Sequence, residues 1–323
     1  MHSFKELSAQ FEQKFNTRQF PANPSSLYDP AQYILGIGGK RIRPVLVMMG
    51  NELFDTLHND ALQAAAAIEL FHNFTLIHDD IMDKAPLRRG QPTVHMKYNE
   101  STAILSGDVM LIQCYEYLNK VQSTHKTKLI QVFNKAATEV CEGQQLDMDM
   151  EQKLPEQVQY DDYVYMIGLK TSVLLAASLQ MGAIIGGGSE GNQQLLYDFG
   201  KNVGIAFQMQ DDYLDAFGDP AKFGKQQGGD IQVNKKTFLL LKALELCNPS
   251  QKELLLQLMV QNPADKVAQV LEIFRQCKVD QWAEQEKERF KARALESLEK
   301  IAVVSNRKQA LKELTDFLLI RQH

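Results

Sequence analysis

Apolar residues recur at helical spacing through most of the chain. The stretch "NDALQAAAAIELFHNFTLIHDDIMD", residues 59–83, contains no Gly or Pro and carries four consecutive alanines. Alanine loses no side-chain entropy in a helix, and β-branched residues are few here. The pattern predicts one long helix, capped by Asn59 or Asp60 and finished before Pro86. The same period predicts helices over 100–121, 129–150, 161–185 and 193–218, and again after Lys235. No series of alternating strands is present, and "PTVHMKY", residues 92–98, reads as an extended connection. The charge-rich stretch 283–300, "AEQEKERFKARALESLEK", reads as a helix with a solvated face laced by i,i+4 ion pairs. No Pro/Gly/Ser-rich linker divides the chain. The expectation is a single all-α domain over residues 1–323.

The most apolar stretch is "SVLLAASLQMGAIIGG", residues 172–187. It is shorter than a spanning helix and includes Ser, Gln and Gly. This predicts a buried core helix and no transmembrane segment. The start, "MHSFKELSAQFEQKF", is polar and amphipathic and lacks the apolar core of a signal peptide. Cys114, Cys141, Cys247 and Cys277 are far apart, with no C-x-x-C pair. That spacing predicts buried or partly buried thiols in a reducing, cytoplasmic setting, without a zinc site. A hydrophobic content of 44% allows a sizeable core. The net charge of −5, without a lysine or arginine block, argues against a nucleic-acid partner.

Charge patterning then singles out two places. "LIHDDIMDKAPLRRG", residues 76–90, sets three aspartates beside two arginines. "QMQDDYLD", residues 208–215, repeats the Asp-Asp-x-x-Asp spacing 132 positions later. On a helix Asp79 and Asp83 share a face, and Asp80 lies about 100° round from Asp79. Asp211, Asp212 and Asp215 repeat the arrangement. Carboxylates one turn apart repel, and a divalent cation reverses the sign of that interaction. A single copy is most simply a solvated helix surface. Two copies, each ending an apolar helix, point to Mg²⁺, which is held by one or two carboxylates together with phosphate oxygens.

The basic residues fit that reading. Arg88 and Arg89 follow the first cluster. "GIGGKRIRP", residues 36–44, adds Lys40, Arg41 and Arg43 in four positions, although a basic loop without a ligand is its plain alternative. Lys225, Lys235 and Lys236 follow the second cluster. The inventory suits two diphosphates, one held through metal and aspartates, the other by a metal-free basic pocket. On this reading Arg88 and Arg89 take phosphate oxygens and are not partners of the aspartates beside them.

The motifs "GGKRIRP", "LIHDDIMDKAPLRRG", "GQQLD" from Gly143, "KTS" from Lys170, "FQMQDDYLD" and "DIQVNKKT" stand in this order between residues 38 and 237. Together they resemble the trans-isoprenyl diphosphate synthases of the polyprenyl synthetase family, short-chain type. The resemblance implies an isoprenoid synthase fold, with about ten core helices around a deep central cavity, usually as a homodimer. It implies Mg²⁺-dependent head-to-tail condensation of isopentenyl diphosphate with allylic diphosphates of C5 to C15. About three Mg²⁺ ions would serve each site, with Mn²⁺ as a substitute.

By position, the resemblance makes Asp79, Asp83 and Asp211 metal ligands. Asp80, Asp212 and Asp215 complete the two motifs. Lys40, Arg43, His72 and Arg89 would hold isopentenyl diphosphate. Arg88, Lys170, Thr171, Gln208, Lys225 and Lys235 would contact the allylic diphosphate. Gln144 and Asp147 would line the cavity. Lys170 and Thr171 are also candidates for stabilising positive charge on carbon. His78 reads as a packed or capping group and not as a base.

Phe74 and Thr75 come five and four residues before Asp79, about one turn deeper on the helix, and are expected to face the same space. In the family this resembles, a bulky side chain there acts as the floor for the growing chain. Phe74 is bulky, Thr75 is small, and the first motif lacks the two-residue insertion of bacterial farnesyl-forming relatives. The expectation is a C20 geranylgeranyl product, with C15 farnesyl next and C25 or longer third. The plain alternative makes Phe74 ordinary core. Two rival functions remain. A class I terpene cyclase shares the helical fold, but its second motif is usually of Asn/Ser/Glu type and it needs no second diphosphate pocket. A non-catalytic subunit tends to lose aspartates, and both motifs here are intact.

Overall fold

Helix α1, Phe4–Phe15, starts at a capping box in which Ser3 and Glu6 exchange hydrogen bonds. Helices α2 (Ser25–Gly36), α3 (Ile42–Glu52) and α4 (Asn59–Met82) follow. Helix α4 is the expected long helix, but its cap is His58, whose Nδ1 accepts from the Asp60 backbone N–H at 3.1 Å. Asp60 is instead buried, and accepts from the backbone N–H of Gln122 and pairs with His125 at 3.0 Å. The next helices are α5 (Val94–Lys97), α6 (Glu100–Asn119), α7 (Ser123–Gln152), α8 (Tyr160–Ile167), α9 (Val173–Ile185) and α10 (Glu190–Phe217). Helices α11 to α16 cover Gly229–Gln232, Phe238–Leu246, Pro249–Gln261, Lys266–Gln276, Val279–Lys300 and Ser305–Leu319. This structure, a computed structural model, describes residues 1–219 and 227–319.

The fold is all-α, as the periodicity predicts. Among the described residues the strands are Leu87–Arg88 and Gln91–Pro92, paired antiparallel with Arg88 opposite Gln91. The expected extended connection at 92–98 is partly wrong, because Val94–Lys97 forms one helical turn after Thr93. A π turn, Gly168–Ser172, interrupts the helix expected over 161–185. The combined segment Tyr160–Ile185 is long and apolar enough to cross a membrane, but 83% of its apolar window is buried inside the protein. That burial matches a core helix. No disulfide links the four cysteines, and Cys141 is exposed.

The contacts group the chain into two compact units, each assembled from three separate segments. The first comprises residues 1–134, 177–196 and 302–310. Its core is built on α4, where Ala61, Ala64, Ala65, Ala67 and Ile68 are fully buried against α3 and α6. Small side chains let the helices approach closely, and each alanine favours the helix it sits in. The second unit comprises residues 135–176, 197–301 and 311–323. Its core gathers Tyr163, Met166, Ile205, Met209, Phe238, Leu255, Phe274 and Phe290.

Helix α15 departs from the expected solvated face. Lys300 pairs with Glu296 at 2.7 Å, the i,i+4 contact anticipated. Lys287 turns inward, however, is 7% exposed, and donates to Gln210 at 2.7 Å. One of the three cations in "KRIR" is likewise structural. Arg41 begins α3 in the left-handed region (φ 52°), is 5% exposed, and pairs with Glu69 while donating to the Leu35 carbonyl. Asn73 donates to the same Glu69 oxygen at 3.1 Å. Replacing Arg41 with Ala would leave a buried carboxylate with only that amide. The unfolding free energy is expected to fall by about 3–5 kcal/mol in urea denaturation.

Candidate active site

The first acidic motif closes α4. Asp83 is its C-cap and is exposed, Asp79 is partly exposed, and Asp80 is 1% exposed. Asp80 faces into the unit, where Arg88 grips it through Nε at 2.9 Å and Nη2 at 2.7 Å. This corrects the expectation that acid and base in this stretch are not partners. The small hairpin is the cause. Arg89 (φ 52°) and Gly90 (φ 74°) turn the chain back between its two strands, and the return brings Arg88 onto Asp80. A bidentate, charge-assisted pair of this kind fixes both groups.

A basic set stands beside it. Arg43 Nη1 lies 3.2 Å from His72 Nε2. Arg89 approaches the "GGKR" loop so closely that a Cβ on Gly39 would sit 2.9 Å from its Nη1. Burial lowers the Arg43 pKa to about 10, with the Arg89 charge adding to the effect. Burial first, then the charges of Arg43, Arg89, Arg88 and Arg41, push His72 well below its ordinary 6.5. His72 is therefore neutral at pH 7 and its ring nitrogen can accept from Arg43. Arg43 Nε is buried without a hydrogen-bond partner. Cations crowded like this are poised to receive an anion. Lys40 is exposed on the same loop.

Phe74 and Thr75 sit on different stripes of α4. Thr75 shares the Asp79 stripe of α4 and bonds back to the His72 carbonyl at 2.8 Å. Phe74 lies about 140° round from Asp79 by the helical repeat. It packs between Phe71 and His78, at centroid distances of 5.6 and 4.7 Å. His78 is a packed group, as expected.

In the second unit the same motif repeats on α10. Asp212 is 3% exposed, while Asp211 and Asp215 are partly exposed. Asp212 accepts from the Tyr163 hydroxyl at 2.6 Å and from the Gln208 amide at 2.9 Å. Asp215 accepts from the Asp230 backbone N–H at 2.9 Å. Lys235 lies 3.8 Å from Asp212 and 3.5 Å from Asp230, and the Asp212 charge raises its pKa. Asp230 itself is pushed up to about 6, chiefly by burial. Sequence reasoning missed Tyr163 and Asp230. Tyr163 sits two turns before Lys170 on α8, and its role becomes visible only when α10 packs beside it.

The π turn positions Lys170 and Thr171, and such turns recur at functional sites. Lys170 pairs with Asp147, and Thr171 Oγ1 lies 3.4 Å from Gln208 Oε1. The pairing needs α7 close by. A Cβ on Gly143 would fall 2.2 Å from the Lys170 backbone nitrogen, so only glycine allows the approach. Gln144, the next residue, is 9% exposed, and its Oε1 lacks a hydrogen-bond partner. Lys225 lies outside the described residues. Among the described residues, no three His, Cys, Asp or Glu side chains come together as a metal cage.

An all-α chain with two fastened Asp-Asp-x-x-Asp helix segments and separate basic sets is an enzyme of the isoprenoid synthase class. Comparison with known proteins makes this specific. The sequence model of the polyprenyl synthetase family matches residues 24–276. A short chain isoprenyl diphosphate synthase of Methanothermobacter thermautotrophicus is 36% identical, with 100% of this chain and 99% of the relative covered. A geranylgeranyl diphosphate synthase of Saccharolobus solfataricus is 34% identical over 99% of both chains. A crystal structure of a geranylgeranyl pyrophosphate synthase superposes with a TM-score of 0.94, at 42% identity and 100% coverage of both chains. The chain belongs to the polyprenyl synthetase family, and it is a prenyltransferase.

The depressed His72 pKa carries a stability prediction. The neutral ring contributes stability above its unfolded value of about 6.5, and that contribution is lost as pH falls below it. His72→Gln removes this component. The loss of thermal stability between about pH 7.5 and pH 5.5 is therefore expected to be smaller in the variant than in the parent, by calorimetry.

Proposed function

We propose that this chain joins isopentenyl diphosphate to allylic diphosphates of C5 to C15, head to tail, and releases mainly C20 geranylgeranyl diphosphate. One observation carries the reading. In both motifs the middle aspartate is buried and fastened by the chain itself, Asp80 by Arg88 and Asp212 by Tyr163 and Gln208. The flanking aspartates are thereby held at fixed helix positions.

Those donors fit Mg²⁺. They are hard oxygens on adjacent turns, and Mg²⁺ is usually bound by one or two carboxylates plus substrate phosphates, without an all-protein cage. Asp79, Asp83 and Asp211 are the proposed ligands, for about three ions per site, with Mn²⁺ as a substitute. When bound, the ions supply Lewis-acid stabilisation of the departing diphosphate.

The chain's own groups do the rest. Arg43, Arg89, Lys40 and neutral His72 hold isopentenyl diphosphate, whose negative charge relieves the repulsion among those cations. Lys170, Gln208 and Lys235 orient the allylic diphosphate, together with Lys225. On this reading Arg88, which grips Asp80 through Nε and Nη2, also contacts the allylic diphosphate. Gln144 and Asp147 line the path of the chain, and the Thr171 hydroxyl faces developing positive charge on carbon. The isopentenyl double bond attacks that carbon, and the released diphosphate removes the final proton. No protein nucleophile is needed.

We read residues 1–323 as one catalytic domain, since neither unit is a continuous piece of sequence. We also read the enzyme as a cytoplasmic homodimer. Leu105 and Ile112 on α6 are 57% and 61% exposed and lie two turns apart on one stripe, an apolar face suited to a second copy. Cys247 and Cys277 sulfurs stand 3.3 Å apart as thiols, a state that a reducing compartment maintains.

Incubation with Mg²⁺, isopentenyl diphosphate and each of the C5, C10 and C15 starters is expected to give C20 diphosphate as the main product. Hydrocarbon from geranyl diphosphate alone would favour a cyclase. Asp79→Ala and Asp211→Ala are each expected to cut turnover by roughly two orders of magnitude or more. Survival of activity in both would overturn the mechanism. Phe74→Ala is expected to lengthen the product, read by mass spectrometry, and an unchanged length would remove Phe74 as the floor.

A further inference from the structure

The floor residue does not stand alone, and its support comes from an unexpected neighbour. Phe74 and His78 are one turn apart on α4 and share a stripe turned toward α6. Their rings meet edge to face, with centroids 4.7 Å apart and planes at 64°. On its other side Phe74 meets Phe71 at 5.6 Å. Phe71 in turn meets Phe133 at 5.3 Å, and Phe133 meets Tyr115 at 5.5 Å. The Phe71 side is therefore backed by the buried rings of Phe71 and Phe133. The His78 side is backed by α6.

One hydrogen bond and the close packing of the ring on Gly107 hold His78 on α6. Its Nε2 lies 3.2 Å from the Ile104 carbonyl, so this nitrogen carries the proton and donates. Asp108 Oδ1 is 4.0 Å from the same nitrogen. The ring lies over Gly107, where a Cβ would come within 2.4 Å of Nε2. A side chain at 107 would push the imidazole away, so the glycine makes room for the ring. None of these contacts involves an aspartate of the metal motif, although His78 directly precedes Asp79.

We propose that His78 is a positioning residue for product length, acting through Phe74. The proposal rests on the reading of Phe74 as the floor. A floor works only while its ring stays put. Burying a further isoprene unit gains more free energy than an off-rotamer ring costs, so an unsupported phenylalanine would yield to the growing chain. His78 removes that escape by closing the side on which Phe74 has no neighbouring ring from the core. The imidazole, pinned by a main-chain carbonyl on a second helix, transmits the position of α6 to the floor.

The test uses the full chain with Mg²⁺, isopentenyl diphosphate and farnesyl diphosphate, with products resolved by liquid chromatography and mass spectrometry. His78→Ala is expected to raise the fraction of product longer than the parental one by about threefold or more. The KM for isopentenyl diphosphate should stay within about twofold, because a general structural loss would move it too. Gly107→Ala displaces the imidazole from the opposite helix while leaving His78 in place, and is expected to lengthen the product in the same way. It decides the matter if His78→Ala does not fold. In the Phe74→Ala background, His78→Ala should add no further length. Parental length in both single variants overturns the proposal if Phe74→Ala does lengthen the product. Further lengthening by His78→Ala on Phe74→Ala overturns it as well, because His78 would then act independently. A parent without prenyl product, or an unchanged Phe74→Ala, overturns the function or the floor reading, and this inference with it.

Discussion

Carboxylates one helical turn apart repel, and the candidate site depends on how that repulsion is contained. Each motif places three acids within five positions at a helix segment. The middle acid is turned inward in both, and burying it there is tolerable only because a strong donor is already in place. On α4 that donor is the fork of Arg88, delivered by a hairpin only two residues wide on each side. On α10 it is the Tyr163 hydroxyl with the Gln208 amide, and Lys235 stands nearby. Lys287 reaches from α15 to Gln210, immediately before the motif. The outer acids are thus presented from helices whose neighbouring residue is tied to the core.

The opposite charge problem governs the basic loop. Arg41, Arg43 and Arg89 lie near enough to repel one another. The fold gives them different partners. Arg41 is consumed by Glu69 inside the first unit, where it begins α3 and ties α3 to α4. Arg43 stays beside a neutral His72 with an unsatisfied Nε and a lowered pKa. Two arginines separated by a single residue therefore do different work. Arg41 stands just before α3 in the left-handed region and Arg43 lies inside its first turn, so their side chains leave the chain in different directions.

Much of this was legible in the sequence. Helix α4 and its neighbours follow from alanine-rich, Gly- and Pro-free periodicity, and the two acidic motifs are visible by eye. What escaped depended on partners distant in the chain. The π turn at Gly168–Ser172 has no signature in helical periodicity, because a one-residue widening preserves the apolar run. The His58 cap was masked by better capping residues at 59 and 60, the second of which is drawn inward by Gln122 and His125. The Arg88–Asp80 pair was hidden because a sequence shows adjacency but not the reversal that Arg89 and Gly90 produce. Lys287 was counted with a solvated face, since nothing on α15 alone shows that Gln210 lies opposite.

The sequence by itself determined most of the helices, the family and the candidate residues of the site, because helix formation and motif spacing are local properties. Only the tertiary structure decided which charges are spent internally. Asp80, Asp212 and Arg41 look like their neighbours on paper, yet each is nearly buried and paired with a residue from another element. Phe74 shows the same limit. Its spacing from Asp79 suggested a shared face, whereas its ring rests against His78, which packs on α6. Burial and pairing are set by segments far apart in sequence, so the division between structural and functional charge is written in the packing and not in the motif.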